Sequence, residues 1–361
     1  MKFPSSASSV LQTVSLILAL TFSAPTLAQT QEVKTVSPAV EMMSIEQARE
    51  ENAYAVGLLA YLWGFPLQYY SNRLRRALAP ADPINDFRRF TELKTAKDKF
   101  VATPNNVTID AYASLDLTAE PVVIFVPALP EPRWYIVQIG DSFDEIIRNI
   151  GGTKRPQSGV YVVSGPDFFG RVPGEIKSRT KIGLTSVRIL ANGAADLPKA
   201  VEAQKGFHLM PLSAYLRYGV AYKPPPERPA MAEYESEAPE DIRFFDELGY
   251  AMNKRLPVSA DSDDELVASF HQIGLSAGKG LEWQTLDQAT KRGLARAAKV
   301  GPQIVDSKWA AAGETTNGWK YTFAGGRHSE RSSSRDEQLA ANTCRKLQSN
   351  YALLWTGNVR P

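Results

Sequence analysis

The sequence predicts an α+β protein: an antiparallel β-sandwich or jelly-roll-like module, entered by an N-terminal helix and followed by a C-terminal helical segment. Three observations predict it. Residues 108–190 hold five strand-like runs joined by Gly- and Pro-rich connections, and no helix-length segment separates the first four, which argues against parallel βαβ crossovers. Thr108 to Leu117 alternates apolar and polar residues strictly, the period of a strand with two unlike faces. The segments flanking this block repeat apolar residues at helical spacing. The 361 residues, 43% hydrophobic and 22% charged, have the balance of a folded chain long enough for two domains.

Residues 1–28 read as a signal peptide. Lys2 precedes an apolar stretch, Val10 to Phe22, too short to span a bilayer, and Thr26-Leu27-Ala28 offers a cleavage site after Ala28. The expected localisation is periplasmic or secreted, with no membrane span in the mature chain. Residues 29–43 form a polar lead-in. Ser44 and Gln47 make a capping box, and Ile45, Ala48, Ala55, Leu58, Leu59 and Leu62 line one face of the first helix. Gly64 and Pro66 are expected to end it, with Tyr61, Trp63, Phe65, Tyr69 and Tyr70 packing at that end. Residues 71–100 are rich in basic groups, among them Arg73, Arg88, Arg89 and Lys94, and read as a solvated surface.

The strands follow. In Thr108–Leu117, Ile109, Ala111, Ala113, Leu115 and Leu117 share one face; Thr108, Asp110, Tyr112, Ser114 and Asp116 share the other. Val122–Val126 and Trp134–Ile139 are apolar runs, with Gln138 out of place in the second; Ser158–Ser164 and Ile182–Leu190 add two more. Asp196, with Pro198, is expected to cap a helix reaching about His208. The proline-dense stretch 223–240 reads as a linker, closing a module of residues 44–222. Three helices are expected in a segment 241–327, near 240–254, 263–273 and 285–300, the second opened by a Ser262–Glu265 capping box.

Several chemistries are narrowed by composition. The formal net charge of +2 gives no reason to expect nucleic acid. Cys344 is the one cysteine, which excludes an internal disulfide and Cys-rich zinc motifs, and His208, His271 and His328 have no metal-ligand spacing, so no metal site is expected. No residue pattern names a cofactor, and homo-oligomerisation is left open.

Gly274-Leu275-Ser276-Ala277-Gly278 matches the G-x-S-x-G nucleophile elbow, which functions only on a strand-to-helix turn; a serine hydrolase using Ser276 is one alternative. The acids Asp261, Asp263, Asp264 and Glu265 fit the start of a helix, where carboxylates complement the dipole. That leaves Asn105, Asn106, Asp110, Tyr112, Gln138, Asp141 and Asn149 near strand ends. Two readings stand. These groups bond neighbouring turns, or they converge on a pocket for a small polar or carbohydrate-like ligand. Asp110 and Asp141 would serve as a general acid/base pair if the fold brings them together. A structural or interaction protein of the cell envelope is the remaining alternative.

Trp63-Gly64-Phe65-Pro66-Leu67, TPNNVTIDAYASLDL, EPVVIFVP, RWYIVQIGDSFDEIIRNIG, YVVSGP and FHLMPLS occur in order between about residues 50 and 220. Together they resemble the bacterial family known as domain of unknown function 1254. The resemblance implies an exported protein with β-sandwich domains bridged by helices, and it supplies no function. Asn105, Asn106, Tyr135, Gln138, Asp141 and Asn149 are the motif positions it matches, which adds Tyr135 to the candidate ligand-binding residues. Full-length relatives carry a following domain of unknown function 1214. Residues 328–361 lack its pattern and are expected to form a tail that is no native domain.

Overall fold

The computed structural model describes residues 42–78, 84–95, 97–98, 105–152, 157–225, 234–311, 314–316 and 319–321. Residues 1–28, read above as a signal peptide, together with Cys344, His328 and residues 328–361, lie outside them. The chain has the expected α+β character. Helix α1 (Ile45–Leu78) leads into strands β1 (Arg88–Arg89), β2 (Thr108–Asp116), β3 (Val122–Val126), β4 (Tyr135–Asp141), β5 (Ile146–Gly151), β6 (Gly159–Ser164), β7 (Ile176–Lys177) and β8 (Ile182–Leu190). Helix α2 (Leu197–Lys205), strand β9 (His208–Pro211) and helix α3 (Leu212–Tyr218) complete the β region.

One sheet runs β1-β2-β8-β4-β5, all antiparallel; a second runs β7-β6-β3-β9, parallel only at the β6–β7 edge. The alternation in β2 decides which residues face inward. Ile109, Ala111, Ala113 and Leu115 join Val137, Ile139, Val187 and Ile189 in a core shared with Val122, Ile124 and Val126 of the second sheet. Ala200 of α2 and the following Phe207 add to the same cluster. Each fully buried aliphatic side chain there contributes about 1.5–3 kcal/mol.

The helical elements form a separate core. It brings together α1, α4 (Arg243–Arg255), the short helices α5 (Ala260–Asp263) and α6 (Glu265–Ser269), the hairpin β10 (Leu275–Ser276) and β11 (Gly280–Leu281), and α7 (Gln288–Ala311). A last hairpin, β12 (Glu314–Thr316) and β13 (Trp319–Tyr321), follows. Among the described residues no helix is long and apolar enough to cross a membrane.

Several expectations are corrected. The Ser44–Gln47 capping box forms reciprocally, 2.8 and 3.1 Å, but α1 does not stop at Gly64 or Pro66. Pro66 removes one ladder bond to the Leu62 carbonyl, and packing against α4 and α7 outweighs that loss. Gly64 is instead a point of close approach, where any Cβ would run into the Leu248 side chain of α4. Asp196 makes no side-chain cap bond and α2 ends at Lys205, because residues 208–211 pair with β3 as β9. The Asp196 carboxylate grips Arg133 at 2.6 and 2.8 Å, an ion pair that holds the carboxyl well below its usual range. Ser262 does not cap: Asp264 does, accepting from the amides of Leu266 and Val267.

Candidate functional site

Strand register places polar side chains in rows across the outer face of the five-stranded sheet. Tyr112 on β2 lies opposite Ser186 on β8, Ser186 opposite Gln138 on β4, and Gln138 opposite Asn149 on β5. The next row sets Asp110 opposite Arg188 and Arg188 opposite Ile136. This face is not open surface. Asp110 is 3% exposed and Gln138 8%. The chain after β1 folds over one end of it, burying Lys94 against the Asp110 carboxylate.

Asp110 is the hub at that end. Its Oδ2 takes Lys94 and the Tyr112 hydroxyl at 3.1 Å; its Oδ1 accepts from Thr108 at 3.2 Å. Thr108 in turn accepts from the Asn105 amide at 2.8 Å, while the Asn105 carbonyl oxygen accepts the Val107 amide, an Asx turn leading into β2. Asn106 is exposed in the same turn. Phe90 meets Tyr112 edge-on at 5.9 Å, with the Lys94 ammonium 5.4 Å from the Phe90 ring. Burial, and then the Asp110 charge, push the Tyr112 hydroxyl far up, although the Arg188 guanidinium beside it pulls the other way. Tyr112 is therefore a fixed donor at any physiological pH. Among the described residues, the buried Asn149 Oδ1 has no hydrogen-bond partner.

The structure thus gathers Asp110, Tyr112, Gln138 and Asn149 on one face, with Asn105 joined through Thr108. It adds Lys94, Arg188 and Ser186, which sequence reasoning did not single out. The reading of residues 71–100 as solvated fails at Lys94, 6% exposed, and at Arg89, whose guanidinium donates to the carbonyls of Phe207 and Phe87. Arg188 and Ser186 had a legible signal, since both occupy the same parity of the Ile182–Leu190 strand.

Two candidates belong elsewhere. Tyr135 points into the core, edge-on to Phe207 at 5.4 Å, and its hydroxyl accepts the Gln157 amide. Asp141 is five positions along β4 from the Asp110 row, about 17 Å, and on the opposite parity. The two carboxyls therefore form no acid/base pair. Asp141 is fully buried. Its Oδ1 accepts the amides of Phe143 (2.8 Å) and Glu145 (3.1 Å), and its Oδ2 takes Arg179 at 2.5 Å. That geometry fixes the tight turn after β4, where Asp144 adopts a φ of 61°.

The Ser276 segment is a hairpin, β10 pairing with β11, rather than a strand-to-helix elbow. Ser276 Oγ accepts the Lys279 amide, and the Ala277 and Gly278 amides, which an oxyanion hole would need, are taken by Asp261 at 2.6 and 2.9 Å. His271 lies 3.4 Å from the same Asp261 carboxylate and is half exposed.

The region holding the polar face matches a known family over residues 84–211, described as protein of unknown function (DUF1254). The match is confined to this stretch. The DUF1254 match spans β1 through β9 and so includes every residue of the polar face. The chain also resembles the crystal structure of the VPA0106 protein from Vibrio parahaemolyticus, with a TM-score of 0.54 and 16% identity over 72% of this chain. It spans 60% of that protein, and the likeness is one of fold alone. No curated protein matches the chain.

Proposed function

We propose that this is an exported protein whose DUF1254 region, read as a β-sandwich, binds a small polar, carbohydrate-like ligand on the outer face of the five-stranded sheet. One observation carries the reading: the Tyr112–Ser186–Gln138–Asn149 row crosses four strands of a largely buried face and leaves the Asn149 carbonyl oxygen buried without a partner among the described residues. Buried polar atoms are almost always satisfied, and a row of hydroxyls and amides flanked by aromatic rings suits a hydroxylated ligand. The shared core of the two sheets supports the sandwich reading. Residues 1–28 support export. The face favours binding over hydrolysis, since Asp110 is engaged by Lys94 and Asp141 stands too far away to pair with it.

Thermal-shift measurements on the mature protein against mono- and oligosaccharides and hydroxylated acids test this. A true ligand at about 100 times its Kd is expected to raise Tm by roughly 2–5 °C. Gln138→Ala and Asn149→Ala should each remove most of that shift while circular dichroism stays unchanged. Retention of the full shift in both variants, or no shift with any member of the panel, would overturn the reading.

A further inference from the structure

We infer that the ligand of this face is a chain of linked sugars rather than a single sugar, one unit seated on β8 at Ser186 and another within reach of Asn149 on β5. The inference rests on the reading that the face binds a carbohydrate-like ligand at all. Its basis is where the covered face opens. Leu184, Ser186 and Arg188 are successive outward positions of β8, the middle strand of the five, and all three are half-buried. Beside them on β2, Ser114 is 7% exposed and Asp110 3%; beside them on β4, Gln138 is 8% exposed and Ile136 6%. The remaining lateral neighbours, Tyr112 and Gly140, are half-buried. The opening therefore follows the axis of β8, with more deeply buried side chains on both sides of it.

The groups on offer are spread too far for one ring. From Leu184 to Arg188 is four residues, about 13 Å of strand. Asn149, whose buried acceptor lacks a donor among the described residues, stands two strands from Ser186, about 10 Å across the sheet. A sugar ring is some four bond lengths wide, about 6 Å. A ring held over Ser186 leaves Asn149 unanswered, and a ring held by Asn149 leaves the β8 opening empty; linked rings meet both. The lining suits sugars better than an extended peptide. Both backbone edges of β8 are already paired, with β2 and with β4, so a peptide laid here gains no ladder of main-chain hydrogen bonds. The side chains supply instead an apolar surface at Leu184, a hydroxyl at Ser186 and an acceptor at Asn149.

The test is a length series, by calorimetry and thermal shift on the mature protein: glucose and its malto- and cello-oligosaccharides, and N-acetylglucosamine and its chito-oligosaccharides, each from one unit to four. In the series that binds, the trisaccharide should bind at least tenfold more tightly than the single sugar, because the further rings add contacts to a site already formed. Asn149→Ala should bring the trisaccharide down towards the single sugar, flattening the series. Ser186→Trp, which fills the opening on β8, should abolish binding at every length. A single sugar that binds as tightly as its trisaccharide, and loses that binding in Asn149→Ala, would overturn the linked-sugar inference and leave the binding face standing. No binding by any member of the three series would overturn the inference together with its premise. Should either variant fail to fold, the comparison of lengths on the unaltered protein still decides.

Discussion

Asp110 shows how much one side chain on a strand can organise. It holds a lysine, a threonine and a tyrosine on the outer face, while its backbone carbonyl accepts the Phe90 amide and the Gln204 side chain. Asp110→Asn would leave the Lys94 ammonium buried beside a neutral amide, and should cost about 3–5 kcal/mol in urea denaturation. Replacing both partners, Lys94→Met with Asp110→Leu, should recover most of that loss, because an apolar pair of similar volume needs no compensation. A double variant as unstable as Asp110→Asn alone would mean that the lysine matters little. Asp110 and Tyr112 were legible from strict alternation. Lys94 was not, since a contact between side chains 16 residues apart leaves no period to read.

Among the elements, α1 illustrates where local signals suffice and where they do not. Its start is written in four residues, and the capping box forms as read. Its end depends on neighbours far along the chain, and tertiary packing carries the helix through Pro66. The α1–α7 contact is close because glycines line it. A Cβ at Gly293 would stand 2.5 Å from the Glu50 carbonyl oxygen and 2.7 Å from Ala53 Cβ. Gly293→Ala should therefore push the helices apart and cost about 1–3 kcal/mol, seen as a lowered Tm; an unchanged Tm would show that the contact is loose. Strands β5 and β9 escaped sequence reading for related reasons. The β4–β5 pairing slips register at Ile139/Gly140, which breaks the alternation, and β9 is four residues long directly after a helix.

At the scale of the molecule, the turn after β4 is the joint between the two cores. Phe143 leaves the β region and packs edge-on to Trp63 of α1 at 5.3 Å. The carbonyl of Arg255, at the end of α4, accepts the Lys181 amide at 2.6 Å, and its guanidinium donates to Ser142. Asp141 holds this turn from within. Asp141→Asn should weaken the Arg179 contact and cost about 2–3 kcal/mol of global stability, with a single unfolding transition. Any ligand-induced shift in Tm should survive it, unlike in the Gln138 and Asn149 variants; loss of that shift would return Asp141 to the binding face. The sheet and its polar face were readable because period two is local. The joint was not, because the GDSFDE motif has the same composition whether it binds a ligand or fastens two layers.

The pairing of α1 with α7 has one further consequence. Gly293 meets Ala53, Leu294 and Ala297 meet Gly57, and Gly301 meets Tyr61, so the two helices run in the same direction. Arg292 and Arg296 fix the alignment through Glu46, Glu50 and Glu51. Parallel neighbours need a long return path, and here the whole DUF1254 region and α4 form it. On a ribosome the first helix is made early and its last partner very late. The β region can close while α1 still waits, and the α1–α7 contact carries the loop-closure cost of the long stretch between the two helices.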